Sequence, residues 1–212
     1  GNFLSFGGLD MPAETDAQGM RGHLVPPGFA QGLETGPLEE GRIAEHTAYA
    51  WYRDDSREEA RHPWRGQTEP RPPEERDGRY SWAKAPRYAG EPAETGPLAE
   101  AVIAESPLAR DWIYHSGPDA LLRQLTRLTR PASLFDTLET WLTETLESFS
   151  ESFAVPVEDI GTGYGVGMLQ AARGALGHWV RIEEGSIAHY QIVSPTSWNG
   201  SPRDSEGRPG PW

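Results

Sequence analysis

Arg173 sits between Ala172 and Gly174, so little bulk crowds a guanidinium that is permanently charged and carries five donors. Farther along, Pro195-Thr196 ends what reads as a returning strand and presents a hydroxyl and a backbone N–H. Two turns joined by a short hairpin would aim this cation and this hydroxyl at a common point, which suits them to holding a ligand. The competing reading of Arg173 is a turn-stabilising residue paired with Asp204 or Glu158. Other chemistries find less support. The run Gly163-Tyr164-Gly165-Val166-Gly167 lacks the preceding strand, the full spacing and the following acid of a dinucleotide loop. Histidines 23, 46, 62, 115, 178 and 189 form no metal-binding helical pair. Only His178 and His189 can approach, across the hairpin, where a structural or surface pair is favoured over a metal. No Ser-His-Asp arrangement has local support.

The elements that must position these groups are punctuated by glycine and proline. From Gly161 to Gly167 the chain reads as a glycine-rich turn, followed by a hairpin of 175–182 and 187–193 around Glu183-Glu184-Gly185-Ser186. Upstream, two helices have clear signals. Asp119–Arg130 places Leu121, Leu122, Leu125 and Leu128 on one face. Ser133–Phe153 places Leu134, Phe135, Leu138, Trp141, Leu142 and Leu146 at helical spacing, with Ser133 and Asp136 resembling a capping box. Its acidic residues Glu139, Glu144, Glu147 and Glu151 read as the solvent face. Residues 1–9 suggest a short strand, 23–25 another, 42–52 a short helix, 53–79 a surface loop, and 80–92 a packed extended segment with Lys84, Arg87 and Glu91. Glu34–Glu45 and Glu94–Glu105 agree at nine of twelve positions; a proline followed by acids is the ordinary way to begin a helix, and nothing around either copy repeats.

Composition sets the frame. The 212 residues suit one domain or somewhat more, with 36% hydrophobic residues, 24 Gly and 19 Pro. Eight Trp, seven Tyr and six Phe argue for a folded, loop-rich chain of α+β class, helix-rich with a C-terminal antiparallel hairpin, that needs a partner to complete it. The net charge of −13 lies mostly upstream of residue 156 and disfavours nucleic acid and anionic membrane as partners. No stretch approaches the ~20 apolar residues of a membrane span. The absence of cysteine excludes a disulfide framework, a thiol nucleophile and thiolate ligation of a metal by this chain. Gly1 in place of an initiator methionine, and the ending Gly210-Pro211-Trp212, read as cut ends.

Several blocks in order resemble the large subunit of nickel-iron hydrogenases: Asn2-Phe3-Leu4-Ser5-Phe6-Gly7, Glu45-His46 to Trp51-Tyr52, Tyr80 to Tyr88 with Gly90-Glu91-Pro92 and Gly96-Pro97-Leu98, Ala171 to Trp179, and Tyr190-Gln191 to Asp204. The resemblance implies an internal piece of a subunit that interconverts dihydrogen with protons and electrons. In that family a nickel-iron centre with carbon monoxide and cyanide ligands is held by four cysteines, one pair near each end; this chain matches the stretch between them. Carried over, Arg173 lies beside the open coordination position, Pro195 and Thr196 line a cyanide ligand, and the carbonyl of Ile192 binds magnesium in some members. An iron-sulfur small subunit and the remainder of the large subunit are the implied partners, placing the protein in the cytoplasm or on the periplasmic face of a membrane. Gln170 stands where the family usually has Glu, and Ala172 where many members have Pro. A cysteine-free paralogue acting as a structural partner is the alternative.

Overall fold

The computed structural model describes residues 1–15, 21–53, 60–72, 78–150, 152, 154 and 160–212. Its centre is a long antiparallel pair, β1 (Asn2–Thr15) and β2 (Arg21–Gln31), registered so that Phe3 faces Ala30 and Phe6 faces Pro27. β2 carries Pro26 and Pro27 where it has no outer neighbour, because β3 (Glu34–Gly36) pairs only with its last residues, 29–31. Proline tolerates a strand at such an edge, where its missing N–H breaks no ladder. The strands expected at 1–9 and 23–25 are therefore both longer than their local patterns.

β1 alternates its side chains between two cores, as the period of a strand requires. Leu4 and Phe6 join Ile43, Tyr88, Trp179 and Trp198 on one face, whereas Phe3 joins Leu98, Val102 and Leu122 on the other. The second core is built by α1 (Pro97–Ile103), α2 (Pro107–Ser116) and α3 (Ala120–Thr129). α1 follows β6 (Glu94–Thr95), a two-residue strand parallel to β1. The near-copy at 34–45 does not follow suit. After β3 it forms a single turn and then β4 (Ile43–His46), paired with β5 (Ala85–Tyr88). The same opening residues are buried at 94–100 and mostly exposed at 34–40; tertiary burial selects the helix. The helix expected over 42–52 is accordingly a strand and turns.

α3 begins where Asp119 accepts the Leu122 N–H at 2.8 Å. Leu122 is buried, but Leu121 and Leu128 are 63% and 75% exposed. α4 (Phe135–Glu147) is shorter than its periodic pattern, and the capping box does not form: the Ser133 hydroxyl donates to the Arg130 carbonyl instead. Only Thr137 and Trp141 of α4 are part-buried. Its apolar stripe of Phe135, Leu138, Leu142 and Leu146 faces away from the rest of the chain. Among the described residues no helix is long and apolar enough to cross a membrane.

The third sheet is a meander of β7 (Gly163–Ala171), β8 (Gly174–Glu183) and β9 (Ser186–Val193). The glycine run expected to turn is strand β7, paired without interruption from Gly163–Ile182 to Ala171–Gly174. The anticipated hairpin is its β8–β9 half, closed by Glu184 and Gly185 at φ 49° and 74°, the left-handed pair that suits two-residue hairpins. His178 and His189 do not meet. His178 contacts the Tyr190 hydroxyl, and His189 lies 2.9 Å from the Pro63 carbonyl. That contact and the buried Pro63 show that the described part of 53–79 is packed against the sheet as well as exposed.

Lys84, Arg87 and Glu45 are buried, and each burial is paired. Glu45 accepts the Gln191 amide at 2.6 Å, with the Lys84 ammonium 4.0 Å away; Lys84 also donates to Thr68. Burial raises the Glu45 carboxyl to about 7, against the opposing pull of Lys84 and Gln191. A carboxyl that holds its proton more tightly folded than unfolded stabilises the fold at acid pH, and that contribution declines as pH rises from 4.5 to about 7.

Two outcomes follow for the metal-free chain in urea titrations. Leu122→Ala should cost about 2–5 kcal/mol, whereas Leu142→Ala on the outer stripe should stay within about 0.5 kcal/mol of the parent. Parent stability should fall by roughly 3 kcal/mol between pH 4.5 and 7 from Glu45 alone. Glu45→Gln should flatten that slope; an unaltered slope in the variant would show that Glu45 stays ionised.

Candidate functional site

Ala172 and Arg173 are the two-residue tip of the β7–β8 hairpin, and both are exposed. The tip rests on the junction of β6 and α1. Gly174 adopts φ 132° and lies so close to Thr95 that a Cβ there would sit 2.5 Å from Thr95 Cγ2 and 2.9 Å from the Gly96 nitrogen. A Cβ on Gly96, φ 118°, would come within 3.1 Å of the Arg173 carbonyl oxygen. Glycine is therefore required at both positions by conformation and by space.

Thr95 holds this contact chemically. Its Oγ1 accepts the Ala175 N–H at 2.7 Å and the Gln170 side-chain amide at 3.3 Å. The Gln170 carbonyl in turn accepts the Phe6 N–H at 3.1 Å, tying the hairpin to β1. All these groups are buried, so each bond is exchanged for no competing water.

Thr196 lies on a second element fastened to the same residue. After β9, Ser194 caps α5 (Pro195–Asn199), with Pro195 in the first turn and Thr196 exposed. Trp198 enters the core edge-on to Phe6, with centroids 6.0 Å apart. Asn199, 1% exposed, accepts the Thr95 N–H and donates to the Thr95 carbonyl, both at 2.9 Å. The structure thus secures the Arg173 turn and the Thr196 helix to one residue. Neither Thr95 nor Asn199 stands out in the sequence, because their bonds span 75 to 104 positions and no local pattern records them.

The alternative partner for Arg173 is already engaged. Asp204 accepts the Glu206 and Arg208 amides on one oxygen and the Arg87 and Arg208 side chains on the other. Burial would raise its carboxyl, but these hydrogen bonds and the two arginines hold it below the usual carboxylate range. Glu158 lies outside the described residues. Among those residues the Arg173 guanidinium makes no hydrogen bond or ion pair.

Ile192 lies on β9 opposite His178, its side chain 47% exposed. The neighbouring Gln191 points inward to Glu45. Beneath the hairpin, burial raises the Glu100 carboxyl above its ordinary value while Arg130, 2.6 Å away, lowers it. Glu94 accepts from Nε and one terminal nitrogen of Arg123 at 2.7 and 2.8 Å, fixing β6 to α3. Among the described residues no three His, Cys, Asp or Glu side chains cluster to hold a metal. What the arrangement offers is a wall: an exposed cation and an exposed hydroxyl on rigidly held supports.

The family described as nickel-dependent hydrogenase matches residues 1–212. The uptake hydrogenase large subunit of Bradyrhizobium diazoefficiens is 31% identical over 90% of this chain and 38% of its own length. The hydrogenase-1 large chain of Escherichia coli is 31% identical over 98% of this chain and 41% of its own. Among solved structures, the Ni-Fe-Se hydrogenase of D. vulgaris Hildenborough superposes with a TM-score of 0.76 at 28% identity, covering 99% of this chain and 45% of that one. The [NiFeSe]-hydrogenase of Dm. baculatum gives 0.78 at 28%, covering 99% and 44%. This chain spans about two fifths of the length of these curated relatives, and it belongs to the nickel-dependent hydrogenase family.

Proposed function

We propose that this chain is part of the catalytic large subunit of a nickel-iron hydrogenase, and that Arg173, Pro195 and Thr196 wall its metal site. The observation that carries the reading is an exposed guanidinium without a partner among the described residues, on a hairpin tip pressed against Thr95 and Gly96. A cation left free at the end of so constrained a turn is suited to a ligand from elsewhere.

The chain fits the wall of such a centre and not its ligation. It has no cysteine and therefore no thiolate for nickel or iron; those ligands come from other sequence. When bound, the nickel-iron centre supplies the interconversion of dihydrogen with protons and electrons. Arg173 keeps a positive charge at a fixed place beside the reacting gas. The Thr196 hydroxyl and a backbone N–H of the Pro195-Thr196 turn donate to an anionic nitrogen such as that of a cyanide ligand. Gln170 contributes no titratable group, so its work here is to hold the hairpin. The carbonyl of Ile192 is the group proposed for magnesium. An iron-sulfur small subunit and the remaining large-subunit sequence complete the assembly, and the exposed stripe on α4 gives them apolar surface to cover.

In the intact enzyme, Arg173→Lys should lower hydrogen turnover by roughly a hundredfold while nickel and iron remain bound, because Lys lacks the planar array of donors. Parent-level turnover in that variant would remove Arg173 from the site. Purified material of these 212 residues alone should contain no stoichiometric nickel or iron by elemental analysis.

A further inference from the structure

We propose that Thr95 is the positioning residue that sets Arg173 and Thr196 relative to each other. The proposal rests on the reading of those two residues as the wall of the reaction site.

The two groups lie on separate elements, and a ligand between them is held only if both supports keep their spacing. Thr95 stands between the supports and grips each by different atoms. Toward the hairpin it uses its side chain: Oγ1 takes the Ala175 N–H and the Gln170 amide, and Cγ2 forms the floor beneath Gly174. Toward α5 it uses its backbone, with both N–H and carbonyl closed by the Asn199 side chain. Thr95 itself is placed by the parallel pairing of β6 with β1, opposite Leu4, and is 3% exposed. Three successive main-chain units, 173 to 175, lie against Thr95 and Gly96. Nothing in that chain of contacts has slack.

The hydroxyl is the informative atom. Valine would fill the same volume in a buried strand and carries a higher strand preference, so packing alone gives no reason for threonine. The Oγ1 bonds do. Replacing threonine by valine leaves the buried Ala175 N–H without its acceptor and takes the Thr95 hydroxyl from the Gln170 amide, and the cheapest relief is for the hairpin tip to shift off Thr95. A displacement of that kind at a positioned catalytic group costs rate even when binding survives.

The test uses the intact enzyme. Thr95→Val should keep nickel and iron but lower kcat roughly tenfold or more, with KM for hydrogen little changed. The infrared stretching bands of metal-bound cyanide should move, and amide hydrogen exchange over 172–176 should quicken. Thr95→Ser, which restores the hydroxyl, should return all three readouts toward the parent. If Thr95→Val does not accumulate, Thr95→Ala removes the same acceptor without inserting a methyl, and carries the same expectations. Parent-like kcat, bands and exchange in the valine or alanine variant would overturn the proposal, as would failure of serine to rescue. If instead Arg173→Lys retains parent turnover, the reading of the site has failed. Faster exchange over 172–176 in Thr95→Val would then still support the mechanical coupling, and unchanged exchange would sink it independently.

Discussion

Arg87 has no solvent exposure, and a guanidinium taken so far from water must meet charge and acceptors in the interior. It finds all but one of them more than a hundred positions away. Nε donates to Asp204 at 2.8 Å, one terminal nitrogen donates to the Pro86 carbonyl and the Ser201 hydroxyl, and the other to the Arg208 carbonyl. Burial pulls the Arg87 pKa down while Asp204 pulls it back up. Removing one member of such a pair leaves the other stranded at a cost of about 3–5 kcal/mol, a large part of a domain's net stability. The coil after α5 is therefore pinned over β5, and α5 is held from its far end by Ser201 as well as from within by Asn199 and Trp198.

The other buried charges follow the same logic at smaller scale. Glu94 with Arg123, Glu100 with Arg130, and Glu45 with Lys84 each join one element to another that is distant in sequence. A chain with many glycines and prolines and short strands has few long ladders, so polar bridges between elements carry registration that ladders supply elsewhere. Thr95 is the neutral version of the same device. Through it the hairpin tip, the short helix and the central strand pair are joined.

The outer surface tells the complementary story. α4 and the outer face of α3 show leucines and a phenylalanine to solvent, while their periodicity has the stripe expected of packed helices. Relatives that are more than twice as long offer ample sequence to cover it.

Periodicity legible along the chain identified the α3 and α4 helices, the β8–β9 hairpin and the packed stretch around Lys84 and Arg87. Separated motif blocks pointed to the family, and the small neighbours of Arg173, Ala172 and Gly174, marked it as unusual. These are local signals, set by side-chain period and backbone freedom. Four things were decided only by tertiary structure. The glycine run became a strand because β8 was there to pair with it. Residues 42–52 yielded a strand because β5 offered an edge, and two nearly identical openings, at 34 and 94, diverged because only one is buried. Thr95 came to join the β7–β8 hairpin to α5 through bonds to residues 75 to 104 positions away. Sequence alone determined which residues carry charge, hydroxyls and no thiolates; long-range burial determined which of them meet, since hydrogen-bond partners across a core leave no trace in the spacing of either residue.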